Sequence, residues 1–255
     1  MNYAFISDIH ANLPALQAVL SDIDGRHVDA IYHLGDLTGY SPWPNEVIGL
    51  LRDRSIPGIA GNYDSTVAMG YTHCGCRADN PREEELSHIS YEWTRRHVNA
   101  DTKSYLASLP FRIDIRPLGG HVSGPAIILL HGNQTLNTVY VTEERPDSFL
   151  EKMAAALGAS AGDTICFGHT HKPWQRVVND VHFINTGSVG RPKDGDPRAC
   201  YALVSAAGRQ STAEFVRVAY DIELVARESA NSGLPSEFAD FLRTGGKTLE
   251  PTLIK

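Results

Sequence analysis

Three observations predict a layered α/β fold. Short strand-like runs alternate with amphipathic helical segments near the N-terminus, which implies parallel strands covered by helices. A polar insertion at about 65–108 interrupts that rhythm. Beyond residue 173, β signals follow one another with only turn residues between them, as antiparallel strands do.

Residues 3–7 (YAFIS), 30–34 (AIYHL) and 56–60 (IPGIA) read as strands. Helical spacing lies between them, at roughly 13–25 and 44–54. Leu13, Leu16, Val19, Leu20 and Ile23 mark one apolar face, and Val47, Leu50 and Leu51 the other. Asn12 ahead of Leu13-Pro14 suits a helix entry, as does Pro44 in a first turn. The insertion carries His73, Cys74, Cys76, His88 and His97, holds a helical segment around 82–99, and is expected to cap the strand ends. Strands resume with FRIDI, AIILLH and TICFG, with a helix at 146–157 between the last two, and continue with QRVV, VHFIN, CYALVS and EFVRVAY. From about 222 to about 243 the chain is helix-prone. With no repeat, low-complexity tract or linker, residues 1–255 are expected to form a single domain with a cap-like insertion and a helical C-terminal extension.

A 42% hydrophobic and 21% charged composition is enough for a substantial core. The formal charge of -7, with no dense Lys/Arg run, disfavours nucleic acid as a ligand. The N-terminus lacks a secretory signal and no apolar run is long enough to span a bilayer, so a cytoplasmic protein without a membrane partner is expected. Cys74, Cys76, Cys166 and Cys200 do not form a disulfide framework, and reduced thiols are expected. His73-Cys74-Gly75-Cys76 resembles part of a metal site, but no second Cys/His pair at zinc spacing follows.

The chemistry is concentrated where strands end. GHTHKP at 168–173 places His169 and His171 one residue apart, and in an extended segment both would lean the same way. Asp8-Ile9-His10 follows the first strand with the same gap. Gly35-Asp36, Gly61-Asn62 and His131-Gly132 follow three others. In α/β sheets, ligands bind beyond the carboxyl ends of the strands, so these residues are expected to converge. Two carboxylates, four imidazoles and one amide exceed the needs of one tetrahedral ion and suffice for two if a carboxylate bridges.

The blocks DIH (8–10), GDLTGY (35–40), GNYD (61–64), HG (131–132) and GHTH (168–171) resemble, in order, those of the calcineurin-like metallophosphoesterase superfamily, over residues 3 to about 190. Within it the chain most resembles the small bacterial phosphodiesterase-like proteins, as Asn185-Thr186-Gly187-Ser188 and the GSVGRPKDGDPRA segment indicate. The resemblance implies a two-sheet β-sandwich flanked by helices, in four layers ordered αββα. It also implies that Asp8, His10 and His171 hold one ion, that Asn62, His131 and His169 hold a second, and that Asp36 bridges them. The ions would be divalent transition metals, manganese first, with iron, zinc, nickel or cobalt as alternatives. The implied reaction is hydrolysis of a phosphodiester or phosphoanhydride of a small, phosphate-containing substrate, a nucleotide among the candidates, by a metal-bridging hydroxide, with Asp36, Asn62 and Tyr63 as the expected catalytic residues. Phosphomonoester hydrolysis and a non-catalytic scaffold of the same fold are the alternatives, although a scaffold would be expected to have lost ligands.

Tyr63 stands where many members carry a histidine that serves the leaving oxygen. Its phenol is a weak acid but a good donor, so Tyr63 either binds substrate, as Asn62 is expected to, or packs its ring beside Asn62. Arg191 would clamp a phosphate or form a surface ion pair. Tyr40 and Trp43 would stack a nucleobase or pack their loop. His73, His88 and His97 would solvate or cap, with substitution for the missing histidine as the other role. His27, His33, His121 and His182 read as structural.

Overall fold

The structure, a computed structural model, describes residues 1–78, 80–116, 125–207 and 210–247. In chain order the elements are β1 (Asn2–Ile6), α1 (Leu13–Asp24), β2 (Ala30–His33), α2 (Pro44–Asp53), α3 (Asn62–Met69), α4 (Pro81–His97), α5 (Ala100–Ser108), β3 (Ile113–Ile115) and β4 (Ile127–Leu129). They continue with α6 (Asp147–Leu157), β5 (Thr164–Phe167), β6 (Trp174–Val178), β7 (Val181–Asn185), β8 (Ala199–Ala207), β9 (Gln210–Val218), α7 (Ile222–Asn231) and α8 (Ser236–Thr244). One sheet runs β2-β1-β8-β9 and the other β3-β4-β5-β7-β6. Parallel pairing joins β1 to β2, β4 to β5 and β5 to β7; β6 to β7 and β8 to β9 are antiparallel, as the turn-separated β signals predict.

Side-chain alternation builds the layers. On β1, Ala4 and Ile6 face the helices with Leu16, Val19 and Leu51, while Tyr3 and Phe5 enter the space between the sheets with Ile127, Leu129, Cys166 and Ile184. On β5, Ile165 and Phe167 turn away from that space onto Leu150, Met153 and Leu157 of α6. The order is therefore helix, sheet, sheet, helix, the αββα arrangement expected. Strands buried on both faces read as continuous apolar runs, and each fully buried Phe, Leu or Ile contributes about 1.5–3 kcal/mol.

Four elements differ from the sequence reading, the first being α3, a helix over Asn62–Met69 where the polar sequence shows no apolar periodicity. Residues 56–60 make one bridge, His33 to Gly58, instead of a strand. Pro57 has no N–H to give, and a Cβ at Gly58 would lie 2.2 Å from the His33 carbonyl. A separate helix, α5, follows α4. The Asn99 side chain accepts from Thr102 N, but only Thr102 and Leu106 are buried, so the helix has almost no apolar periodicity. The C-terminal helical stretch is two helices, broken at Gly233-Leu234-Pro235, where Gly233 takes φ +74°. Within the insertion, Tyr91, Val98 and Leu106 are buried in the same cluster as α1 and α2. Among the described residues no helix is long and apolar enough to cross a membrane.

Candidate metal centre

The loops leaving β1, β2, β4 and β5, together with the first residue of α3, meet at one end of the sandwich. Asp8, His10 and His171 place one ligand atom each within 4.8 Å of one another, as do Asp36, His131 and His169. The two groups touch: His10 Nε2 lies 3.8 Å from Asp36 Oδ2. Asn62 Oδ1 lies 3.1 Å from His131 Nε2, so the seven residues expected as ligands converge, every one of them buried.

The backbone is not the extended pincer read from GHTHKP. Asp8, His10, Asp36, His169 and His171 have φ of 51°, 49°, 51°, 67° and 60°, a left-handed conformation that costs a non-glycine residue about 1 kcal/mol or more. His169 and His171 consequently diverge, one to each group. Crossed backbone hydrogen bonds hold this strain in place: Asp8 N and His10 N donate to Gly35 O and Asp36 O, and Val189 N and Gly190 N donate to Ser7 O and Asp8 O. Space is equally constrained, since a Cβ at Gly190 would sit 1.7 Å from Ile9 O. Gly190→Ala is expected to cost about 3 kcal/mol or more in urea unfolding. Gly49, on α2 with nothing within 4 Å, should gain about 0.5–1 kcal/mol as Ala. Equal small effects at both positions would refute this reading of the loop.

Each carboxylate has one oxygen tied down and the other directed inward. Asp8 Oδ2 accepts from Ser7 Oγ and His169 N, leaving Oδ1 without a hydrogen-bond partner. Asp36 Oδ1 accepts from Tyr63 N at 2.9 Å, leaving Oδ2 3.5 Å from His131 Nε2. Three imidazoles have their tautomer set by carbonyls, which can only accept. His10 Nδ1 donates to Thr38 O, His131 Nδ1 to Leu34 O and His171 Nδ1 to Arg191 O. The Nε2 lone pairs of neutral His10 and His171 therefore face each other 3.1 Å apart.

Burial, followed by the His171 charge, pushes His10 down to about 3; burial and then His131 push His169 down to about 3. Burial followed by Lys193 and Arg191 lowers His171 well below the ordinary value. For His131, burial acts downward but Asp36 overcomes it and holds the ring up to about 9. Asp36 mirrors this: burial acts upward, yet His131 and His10 hold it below the usual carboxylate range. Asp8 is raised, chiefly by burial. Facing lone pairs, a partnerless carboxylate oxygen and a partnerless His169 Nε2 fit divalent cations: each orphaned atom is a donor aimed at a shared space.

Around the centre, Tyr63 is 1% exposed. Its hydroxyl donates to Ser90 Oγ at 3.4 Å, burial drives its pKa upward, and its ring edge meets His10. The structure thus shows the phenol packed against Ser90 and the backbone N–H reaching Asp36. Tyr40 is half-buried, with ring contacts to His10, Tyr63 and Phe238. The Arg191 guanidinium lies over one face of its ring, so it is this cation that the ring stacks on where the sequence suggested a nucleobase. Arg191 has its guanidinium carbon 3.9 Å from the Tyr40 ring centre and 3.7 Å from that of Phe241 on α8. His73 and His88 are exposed, and His97 is exposed and stacked on Trp93, whereas His182 is held by Ser211 and Gln175. His33 is buried against Tyr105, His27 is exposed, and His121 lies outside the described residues.

Sequence reasoning missed several parts of the centre. The carbonyls of Leu34, Thr38 and Arg191 leave no mark on side-chain identity. Tyr140, stacked 4.1 Å from the His169 ring, sits in a loop without a motif. Phe241 had only the apolar face of a C-terminal helix to signal it. The expectation of four free thiols holds for Cys166 and Cys200, while Cys74 and Cys76 are joined in a disulfide.

A family model described as the calcineurin-like phosphoesterase superfamily domain matches residues 1–209. The uncharacterized protein MJ0912 of Methanocaldococcus jannaschii is 29% identical over 263 residues, covering 95% of this chain and 97% of its own. The crystal structure of a metallophosphoesterase from Sphaerobacter thermophilus superposes with a TM-score of 0.72 at 29% identity, covering 96% of this chain and 99% of that one. That of the hypothetical protein PH1004 from Pyrococcus horikoshii OT3 superposes with a TM-score of 0.80 at 22% identity, covering 97% and 99%.

Proposed function

The chain belongs to the calcineurin-like phosphoesterase superfamily, and on that premise we propose that it hydrolyses phosphodiester or phosphoanhydride bonds of a small substrate at a two-cation centre. The observation that carries the reading is the pair of facing lone pairs on His10 and His171 beside the partnerless Asp8 Oδ1, an arrangement that is repulsive until a cation enters. Asp8, His10 and His171 would hold one ion; Asn62, His131 and His169 the other; Asp36 Oδ2 lies between the groups. Two divalent cations, when bound, supply Lewis-acid polarisation of phosphoryl oxygens and a nucleophile from water near neutral pH.

The chain's own residues orient that chemistry. Thr38 O, Leu34 O and Arg191 O fix three imidazole rings, and the Tyr63 N–H fixes Asp36. Arg191, both faces covered by rings, keeps its N–H edge for binding and is assigned to a substrate phosphate oxygen. With the Tyr63 phenol turned to Ser90 and the buried Asp64 carboxylate taken up by the Leu37 and Gly61 N–H groups, neither of these side chains of the GNYD block is placed as leaving-group acid, which favours substrates whose leaving group departs without protonation.

Hydrolysis of aryl phosphodiesters, dinucleoside polyphosphates and aryl monoesters across Mn²⁺, Ni²⁺, Co²⁺ and Zn²⁺ tests the proposal. Diester or anhydride turnover above monoester turnover is expected, and no metal-dependent hydrolysis of any substrate rejects it. Phe241→Ala, which removes one face of the Arg191 sandwich, is expected to raise KM about three- to tenfold with little change in kcat. Arg191→Ala should raise KM further, and unchanged KM in both variants would remove Arg191 from the substrate site.

A further inference from the structure

We infer that Cys74 and Cys76 form a thiol–disulfide exchange site for low-molecular-weight disulfides, and that its state sets how firmly the Asn62 amide is held. The exchange site goes beyond the proposed function; the coupling to Asn62 rests on the metal reading of that residue.

The pair lies in the loop between α3 and α4. The two Cα atoms are 5.4 Å apart, within the range of bonded cysteines. Gly75 between them takes φ +74°, a conformation that lets the short turn close, and a Cβ there would press on Thr138 at 3.0 Å. The sulfurs differ in access. Cys74 is 5% exposed with its Sγ 3.4 Å from Ser87 Oγ, whereas Cys76 is half-buried beside exposed Gly75. Cys76 is therefore the sulfur that an incoming disulfide meets. Cys166 and Cys200 are buried in the sheets, where burial pushes both thiols up.

Asn62 ties this pair to the centre. Its Nδ2 donates to Cys74 O at 3.2 Å and to Cys76 Sγ at 3.1 Å, while its Oδ1 faces His131 Nε2 at 3.1 Å. An amide's two ends are not interchangeable, so whatever accepts from Nδ2 decides which atom faces the imidazole. In the disulfide, Cys76 Sγ carries no hydrogen and can only accept. In the dithiol it carries an S–H, and the tether between residues 74 and 76 is gone, which loosens the acceptor that aims Oδ1.

The exchange is balanced. The Cys76 sulfur attacks a small disulfide RSSR and releases one RSH; Cys74 then attacks Cys76 Sγ and releases the second. Two protein S–H bonds are lost and one S–S bond forms, and two electrons and two protons leave on the two small thiols.

The full-length protein, reduced with a phosphine that is then removed, is treated with oxidised glutathione and followed by intact mass and by Mn²⁺ titration. A loss of about 2 Da without a retained adduct is expected. Mn²⁺ should bind the oxidised form about fivefold more tightly at the weaker site, the worth of about one hydrogen bond. Cys74→Ser/Cys76→Ser should show neither the mass loss nor any response to glutathione. Absence of the mass loss in the wild type overturns the exchange site. A mass loss with unchanged Mn²⁺ affinity overturns the coupling. Absence of Mn²⁺ binding in both forms overturns the coupling together with the metal reading, while the mass still decides the exchange site by itself.

Discussion

Asp36→Asn is expected to lower turnover of an aryl phosphodiester by well over a hundredfold while leaving the fold intact. Changes one shell further from a metal already cost about 10–100-fold, which sets the lower bound. The side chain keeps its shape, so the argument turns on which way the amide must point. Asp36 Oδ1 accepts from Tyr63 N, and an amide NH₂ placed there would set donor against donor. The carbonyl oxygen must therefore take that position, and the NH₂ group is forced into the place of Oδ2. There it aims hydrogens at the space that His131 Nε2 and His10 Nε2 share, 3.5 and 3.8 Å away. A donor in that place repels a cation, and the charge that joined the two groups is gone. Circular dichroism should remain native and Mn²⁺ stoichiometry should fall. Wild-type rates in this variant would show that Asp36 does not lie between two ions.

The sequence made this centre legible because every ligand-type side chain sits just past a strand or at a helix start, where α/β topology gathers residues from distant positions. Asp8, Asp36, His131 and His169 could be placed together for that reason alone. What was not legible depends on atoms that sequence does not distinguish. The Thr38, Leu34 and Arg191 carbonyls orient rings regardless of side chain, and the left-handed backbone at Asp8, His10, Asp36, His169 and His171 is adopted by residue types that tolerate it better than most but take it up in only a minority of positions. Phe241 reaches Arg191 only because α7 and α8 fold back as a pair, which the break at Gly233-Leu234-Pro235 makes possible. Residues 56–60 looked like a strand because Ile56, Ile59 and Ala60 are buried, but they are buried as a path beside β2 that makes one bridge. Burial and strand pairing leave the same apolar signature over so short a run.

Mn²⁺ added to chelator-treated protein is expected to raise Tm by roughly 10–20 °C, and the rise should grow with pH. Each site filled at a hundredfold excess over its Kd adds about 2.7 kcal/mol, and a chain of this size gains about 2–4 °C per kcal/mol. The pH dependence follows from one residue. His10 and His169, held down to about 3, are already neutral in the folded protein at pH 6.5 and add no slope to metal affinity. Their unfolded imidazoles titrate near 6.5, so the metal-free fold gains stability from them as pH rises through 6.5 and no more above about 7.5. His131 is held up to about 9 by Asp36, above its ordinary 6.5. Its pairing thus stabilises the metal-free fold fully below pH 6.5, and that stabilisation is lost as pH climbs toward 9. A cation needs the lone pair that this proton occupies, so apparent metal affinity rises over the same window. The metal gain, set by the folded His131, increases between pH 6.5 and 8.5, and above about pH 7.5 the metal-free protein weakens as well, so there the two effects act together. A Tm gap that stays constant or narrows across that interval would show that the proton on His131 does not compete with the ion. In Asp36→Asn, which removes the charge holding that proton, the slope should flatten even if one ion still binds, and that separates the pair's electrostatics from the loss of a ligand.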